Sequence, residues 1–120
     1  MSNRSIGAAF EQMAADYLVS QGAEIIQKNY SANGGEIDII AKLNDRLLFV
    51  EVKRRATNRY GTGAAAVDRN KQNKICKAAL HYLKKHSLMD SRMRFDVIEI
   101  NGEGIRHIPS AFTFQPTGRY

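Results

Sequence analysis

Gly35-Glu36-Ile37-Asp38, followed after a short polar break by Phe49-Val50-Glu51-Val52-Lys53, is the stretch whose reading decides the fold. Residues 36–41 and 46–53 are rich in strand-forming side chains, and Lys42 to Asp45 separates them, so the pair reads as a β-hairpin. A tight turn centred on Asn44 and Asp45 sets Asp38 opposite Glu51 and Glu36 opposite Lys53. Strand side chains alternate, which puts Glu36, Asp38, Glu51 and Lys53 on one face and Ile37, Ile39, Val50 and Val52 on the other. Opposed like charges only about 5 Å apart repel. Two such anions call for a counter-charge, and Mg²⁺ meets that need with one or two protein carboxylates, completing its shell with water and phosphate.

The same four residues also fit a plainer reading, as solvated charges on the polar face of an amphipathic hairpin with Lys53 neutralising the acids. Against it stands Leu47-Leu48-Phe49-Val50-Glu51-Val52. A nearly continuous apolar run belongs to a strand covered on both faces, where Glu51 is partly buried and costly without a partner.

Working outward, 120 residues suit one domain spanning 1–120, with a hydrophobic core. The formal charge of +6 suits an anionic partner such as nucleic acid or a membrane surface. No apolar run approaches a membrane span, and the N-terminus lacks a basic region followed by an apolar block, so a cytoplasmic location is expected. Cys76 is the single cysteine; it excludes an internal disulfide and reads as a small core residue. His81, His86 and His107 are scattered and do not read as ligands.

Residues 4–20 read as a helix carrying Ile6, Phe10, Met13, Ala14, Tyr17 and Leu18 at helical spacing, stopped by Gly22. A first strand is expected over 23–30 and a turn over Ser31 to Gly35, ahead of the hairpin. Arg54 to Ala66, with Arg54, Arg55, Arg59, Gly61 and Gly63, is expected to be an exposed, mobile loop. Val67, Lys71, Ile75, Ala79, Tyr82 and Leu83 mark a second helix ending near His86, with a basic flank and Asp68 at the positive end of its dipole. Arg94 to Ile100 alternates Phe95, Val97 and Glu99 against Asp96, Ile98 and Ile100, then turns at Asn101 to Gly104 into a weaker strand over 105–108. Pro109 to Tyr120 carries no clear pattern. The fold class is α/β: a mixed β-sheet of about five strands flanked by helices, in the order α-β-β-β-α-β-β.

An acidic residue, a spacer and then Glu-x-Lys at the end of an apolar strand resembles the core of the PD-(D/E)XK, or restriction-endonuclease-like, nuclease superfamily. More narrowly, the chain resembles the YraN-type family of bacterial proteins, related to archaeal Holliday-junction resolvases. Gly7, Glu11, Ala14, Tyr17 and Leu18 match its first helix, Val67, Lys71, Ala79, Tyr82 and Leu83 its second, and Arg94-Phe95-Asp96-Val97-Ile98, His107-Ile108 and Ala111-Phe112 its closing strands. Departures are Ile37 where the superfamily has a proline and Phe10 where a glycine is expected before Glu11.

The resemblance implies a catalytic set of Asp38, Glu51 and Lys53. Asp38 and Glu51 would ligate Mg²⁺ or Mn²⁺, with Glu11 as an auxiliary acid from the first helix or else an ordinary exposed carboxylate. Glu36 reads rather as a cross-strand partner of Lys53. Arg54, Arg55, Arg59, Lys71, Lys74 and Lys77 would contact the phosphate backbone, or else form a solvated basic face. The implied function is Mg²⁺-dependent hydrolysis of DNA phosphodiester bonds, at branched or junction structures recognised by shape. The alternative is a non-catalytic nucleic-acid-binding module with a nuclease-like fold. Junction-cutting relatives imply a homodimer, although no exposed apolar stripe marks an interface.

Overall fold

The computed structural model describes residues 3–55 and 67–114. Its elements run α1 (Asn3–Ser20), β1 (Glu24–Ala32), β2 (Gly35–Leu43), β3 (Arg46–Arg54), α2 (Arg69–Lys85), β4 (Arg92–Asn101) and β5 (Gly104–Phe112). The expected order and mixed sheet are both present. Five strands lie in sequence order, antiparallel except for the parallel β3–β4 pair, whose connection carries α2. A parallel pair needs such a crossover, because the end of one strand and the start of the next lie at opposite ends of the pair.

One helix covers each face. Tyr30, Ile40, Phe49, Ile75, Tyr82 and Phe95 belong to the cluster beneath α2, whereas Ala14, Leu18, Ile39, Leu48, Val50 and Ile98 belong to the cluster beneath α1. The odd residues of β3 thus face α2 and the even ones face α1, as strand alternation requires. Burial on both faces explains why Leu47 to Val50 reads as an unbroken apolar run. Cys76 is a buried core thiol, its Sγ 4.0 Å from the Thr113 carbonyl oxygen.

The hairpin register is the expected one from Leu43–Arg46 through Ile39–Val50, where backbone pairing stops. Several boundaries differ. Ser31 and Ala32 still pair in β1 rather than turn, and the reversal narrows to Asn33 and Gly34, both at positive φ (54° and 78°), the Asn-Gly chemistry that suits a two-residue hairpin turn. Lys42 and Leu43 remain strand, pairing with Leu47 and Arg46, so the polar break shrinks to Asn44 and Asp45. Arg54 closes β3 instead of opening a loop. The rest of the loop expectation, over 56–66 and including Arg59, lies outside the described residues.

Ile37 corrects the expected face assignment. It packs beneath α2, while Ile39 packs beneath α1. Alternation breaks around Asp38, between the pairs Lys28–Ile39 and Tyr30–Ile37, where Asn29 of β1 has a φ of 55°. A left-handed residue reverses the pleat locally.

β5 runs four residues past its expected end at Ile108. Pro109 lacks an N–H, and the β4–β5 register shifts between Phe95 and Val97; the Asp96 carboxylate then accepts the Ser110 N–H at 3.1 Å. Buried Asp96 also takes the Arg94 Nε at 2.9 Å and meets His107 Nε2 at 2.7 Å, and His107 Nδ1 meets the Tyr17 hydroxyl of α1 at 3.1 Å. This chain ties α1 to the β5 edge. Arg94, His107 and Ser110 together surround a carboxylate that would be expensive to bury alone. No helix among the described residues is long and apolar enough to cross a membrane.

Candidate active site

Where the β2–β3 ladder ends, the strand ends, α1 and the start of α2 enclose an open cleft of about 710 Å³, lined by Glu11, Asp38, Glu51, Lys53, Arg54 and Lys71 among others. Six residues singled out from the sequence therefore share one cavity. Asp38 sits just past the last backbone pair of the hairpin, and its Oδ2 accepts the Val52 N–H at 2.8 Å. A side chain thus continues the ladder where the backbone stops. Glu51, on the face of β3 toward α2, is 6% exposed.

The Asp38 and Glu51 carboxyls lie close enough to influence one another. Burial, then the proximity and charge of Glu51, push the Asp38 carboxyl up to about 8, against the opposing pull of the Val52 N–H and Lys71. Like charges this close in a part-buried site cannot both ionise cheaply, and it is the Asp38 carboxyl that is raised. Glu11 is raised as well, chiefly by burial and next by Asp38, while an Asn29 hydrogen bond opposes the shift. The Lys71 ammonium stands 3.5 Å from Glu51.

This donor set fits a hard divalent cation. Oxygen-only ligands, close approach and a charge conflict that a cation would relieve all suit Mg²⁺ or Mn²⁺. The set is a pair. Among the described residues no three His, Cys, Asp or Glu side chains gather around one point, so Glu11 stands beside the carboxylate pair without joining it. The remaining positions on a cation would fall to water and substrate oxygen, the common pattern for Mg²⁺.

Local structure explains why the residues meet. Asp68 caps α2, its Oδ1 accepting the Lys71 N–H at 2.8 Å, which fixes the first turn and with it Lys71. Gly35 lets β2 approach α2 directly, since a Cβ there would overlap the Lys74 carbonyl. Arg54 lies over the Phe10 ring of α1, 5.6 Å from its centre.

Not every expected residue enters the cleft. The Arg55 guanidinium is directed to buried Glu99 at 3.4 Å, Lys74 lines a neighbouring hollow beside Gly34 and Gly35, and Arg59 lies outside the described residues. Glu36 pairs with Ser31 across β1–β2, and its side chain is exposed. Sequence reasoning missed the Lys71–Glu51 contact and the Arg55–Glu99 pair. The signal for the first was present, because a buried Glu51 demands a cation and the basic start of α2 follows the same strand.

Residues 10–100, from just before Glu11 to the penultimate residue of β4, match one protein family as a unit. The chain belongs to the uncharacterised protein family UPF0102. A UPF0102 protein of Clostridioides difficile (strain 630) is 43% identical over 114 residues, covering 93% of this chain and 100% of that protein. Another, from Trichlorobacter lovleyi, is 44% identical over 118 residues, covering 92% and 91%. A third, from Thermodesulfovibrio yellowstonii, is 42% identical over 115 residues, covering 93% and 99%. These UPF0102 relatives are matched nearly end to end, and the family match itself spans Glu11, the β2–β3 hairpin and α2. The family membership implied by the sequence resemblance is thereby established.

Proposed function

We propose that this UPF0102 protein is a Mg²⁺- or Mn²⁺-dependent endonuclease of the restriction-endonuclease-like superfamily, acting in the cytoplasm on DNA, with branched or junction DNA as its substrate form and a homodimer as its working state. The observation that carries the reading is the close approach of the Asp38 carboxyl to that of buried Glu51 in a cleft also lined by Lys53, Arg54 and Lys71. Acids that repel and bases within the same hollow suit a cation and a phosphodiester together.

Asp38 and Glu51 would hold the cation. When bound, it polarises a phosphoryl oxygen, acidifies a water and stabilises the departing oxyanion. Lys53, two residues beyond Glu51 on the same strand face, supplies positive charge where negative charge develops on phosphorus-bound oxygens. Arg54, propped on Phe10, suits contact with a flanking phosphate. Lys71 neutralises Glu51 in the metal-free protein. The preference for junctions is supported by the likeness to archaeal resolvases.

The test is incubation of purified protein with linear, flap, single-stranded and four-way DNA, in Mg²⁺, Mn²⁺ or chelator. Metal-dependent cleavage that falls at least 100-fold in Asp38→Asn and Glu51→Gln is the expected result. Cleavage unchanged in both variants would overturn the site. The binding-module reading draws on the Lys71–Glu51 pair, which supplies a counter-charge without metal; salt-sensitive DNA binding with no cleavage under any condition would favour it.

A further inference from the structure

α2 contains Arg69, Lys71, Lys74, Lys77, Lys84 and Lys85 and not one acidic residue. Helix stability does not explain that composition. Solvated helices gain from acid–base pairs at i and i+4, and bases in the first turn oppose the dipole. Lys84 and Lys85 suit the C-terminal end of the dipole, but Arg69, Lys71, Lys74 and Lys77 do not share that benefit.

The bases line successive hollows. Lys71 borders both the acidic cleft and the hollow beside Gly34 and Gly35, which Lys74 also lines. Beyond it, Lys77, His81, Lys84 and Lys85 face Asn33 of the β1–β2 turn around a groove of about 400 Å³. No acidic side chain lines this groove among the described residues. Its histidine is oriented from behind. The Tyr30 hydroxyl lies 2.6 Å from His81 Nδ1, and burial raises the Tyr30 phenol, keeping its proton. That contact fixes the ring's orientation, with Nε2 at its far side.

We infer that this distal groove is a second phosphate-binding subsite, which grips the backbone of the same nucleic acid whose scissile phosphate lies in the acidic cleft. It rests on the reading of the cleft as a nucleic-acid site. Lys71 to Lys84 spans about 20 Å of helix at 1.5 Å per residue. That length corresponds to about six base pairs at 3.4 Å per pair. A duplex arm running along α2 is therefore the occupant that the spacing fits, and arms shorter than about six pairs should not reach the groove.

Fluorescence anisotropy with DNA hairpins of increasing stem length, in chelator so that no strand is cut, tests this. The triple variant Lys77→Gln, Lys84→Gln, Lys85→Gln should lower the slope of log affinity against log salt by about 2–3, since each phosphate contact contributes about 0.9. It should also lose the gain in affinity that the wild type shows on passing about six base pairs. A charge-matched control, Lys42→Gln, Arg46→Gln, Arg92→Gln at the opposite end of the sheet, should keep both. Wild-type slope in the α2 variant, or an equal loss in the control, overturns the subsite. Cleavage in Mg²⁺ is read separately: a slope loss confined to the α2 variant sustains the subsite even if no DNA is cut, whereas Asp38-dependent cutting with an unchanged slope sustains the nuclease and removes the subsite.

Discussion

The Asp38 carboxylate accepts the Val52 backbone N–H at 2.8 Å, so one side chain both extends the β2–β3 ladder and lines the cleft. These duties pull in different directions. Ladder extension holds the carboxyl in place beside Glu51, and that placement raises it to about 8.

Stability should therefore depend on pH in a direction unusual for a carboxylate. In the unfolded chain Asp38 titrates near the ordinary 3.8 of an aspartate, while in the fold it retains its proton up to about 8. Between those values the folded state binds more protons, so stability falls as pH rises through the window. Asp38→Asn keeps an acceptor for Val52 and removes the titration. In metal-free urea titrations the variant should gain stability relative to wild type by on the order of 5 kcal/mol between pH 4 and pH 8, at about 1.4 kcal/mol per pH unit. A difference independent of pH would show that burial does not hold the proton on Asp38.

A divalent cation should reverse that loss, because it relieves the same repulsion that the proton on Asp38 relieves. Mn²⁺ at about 100 times its dissociation constant should stabilise wild type by about 2.7 kcal/mol at pH 8, seen as a raised Tm. The gain should shrink at pH 5, where protons compete for the carboxyls. Glu51→Gln should lose most of it. Equal stabilisation of wild type and Glu51→Gln would place the cation elsewhere.

Lys71, 3.5 Å from Glu51, should compete with such a cation. Its side chain is 42% exposed and that of Glu51 7%, so solvent screens the pair only on the lysine side. Lys71→Ala should cost about 1 kcal/mol in the metal-free protein, while raising Mn²⁺ affinity several-fold in calorimetry. The Asp68 cap uses the backbone N–H of Lys71 and survives the substitution. Unchanged Mn²⁺ affinity would show that the ammonium does not face the carboxylate pair.

How much of this was legible differs by element. The hairpin register could be read because alternating residues flank a turn of two, and Asn44 at a φ of 58° supplies the reversal. Asp38, Glu51 and Lys53 fell into one cleft for the same reason. The pleat reversal that sends Ile37 toward α2 was hidden, because it depends on Asn29 of the neighbouring strand. β5 past Ile108 was hidden too, since Pro109 breaks the local pattern and Asp96, distant in sequence, supplies the bond that sustains the strand. Arg55 looked like a phosphate contact because nothing local announces that Glu99 is buried beside it. Local alternation was readable; partners supplied by distant elements were not.

Gly35 offers the most direct check that α2 is held where the cleft needs it. A Cβ there would overlap the backbone carbonyl of Lys74, and backbone cannot swing aside as a side-chain tip can. Gly35→Ala must push α2 off β2, at a cost of about 1–3 kcal/mol for overpacking. Lys71 lies one turn upstream on the same helix, so the displacement should also loosen its hold on Glu51 and alter Mn²⁺ affinity. Gly102→Ala, where nothing lies within 4 Å, should change neither quantity by comparison. If Gly35→Ala matched Gly102→Ala in both urea denaturation and Mn²⁺ calorimetry, the close approach of β2 to α2 would not be what positions Lys71.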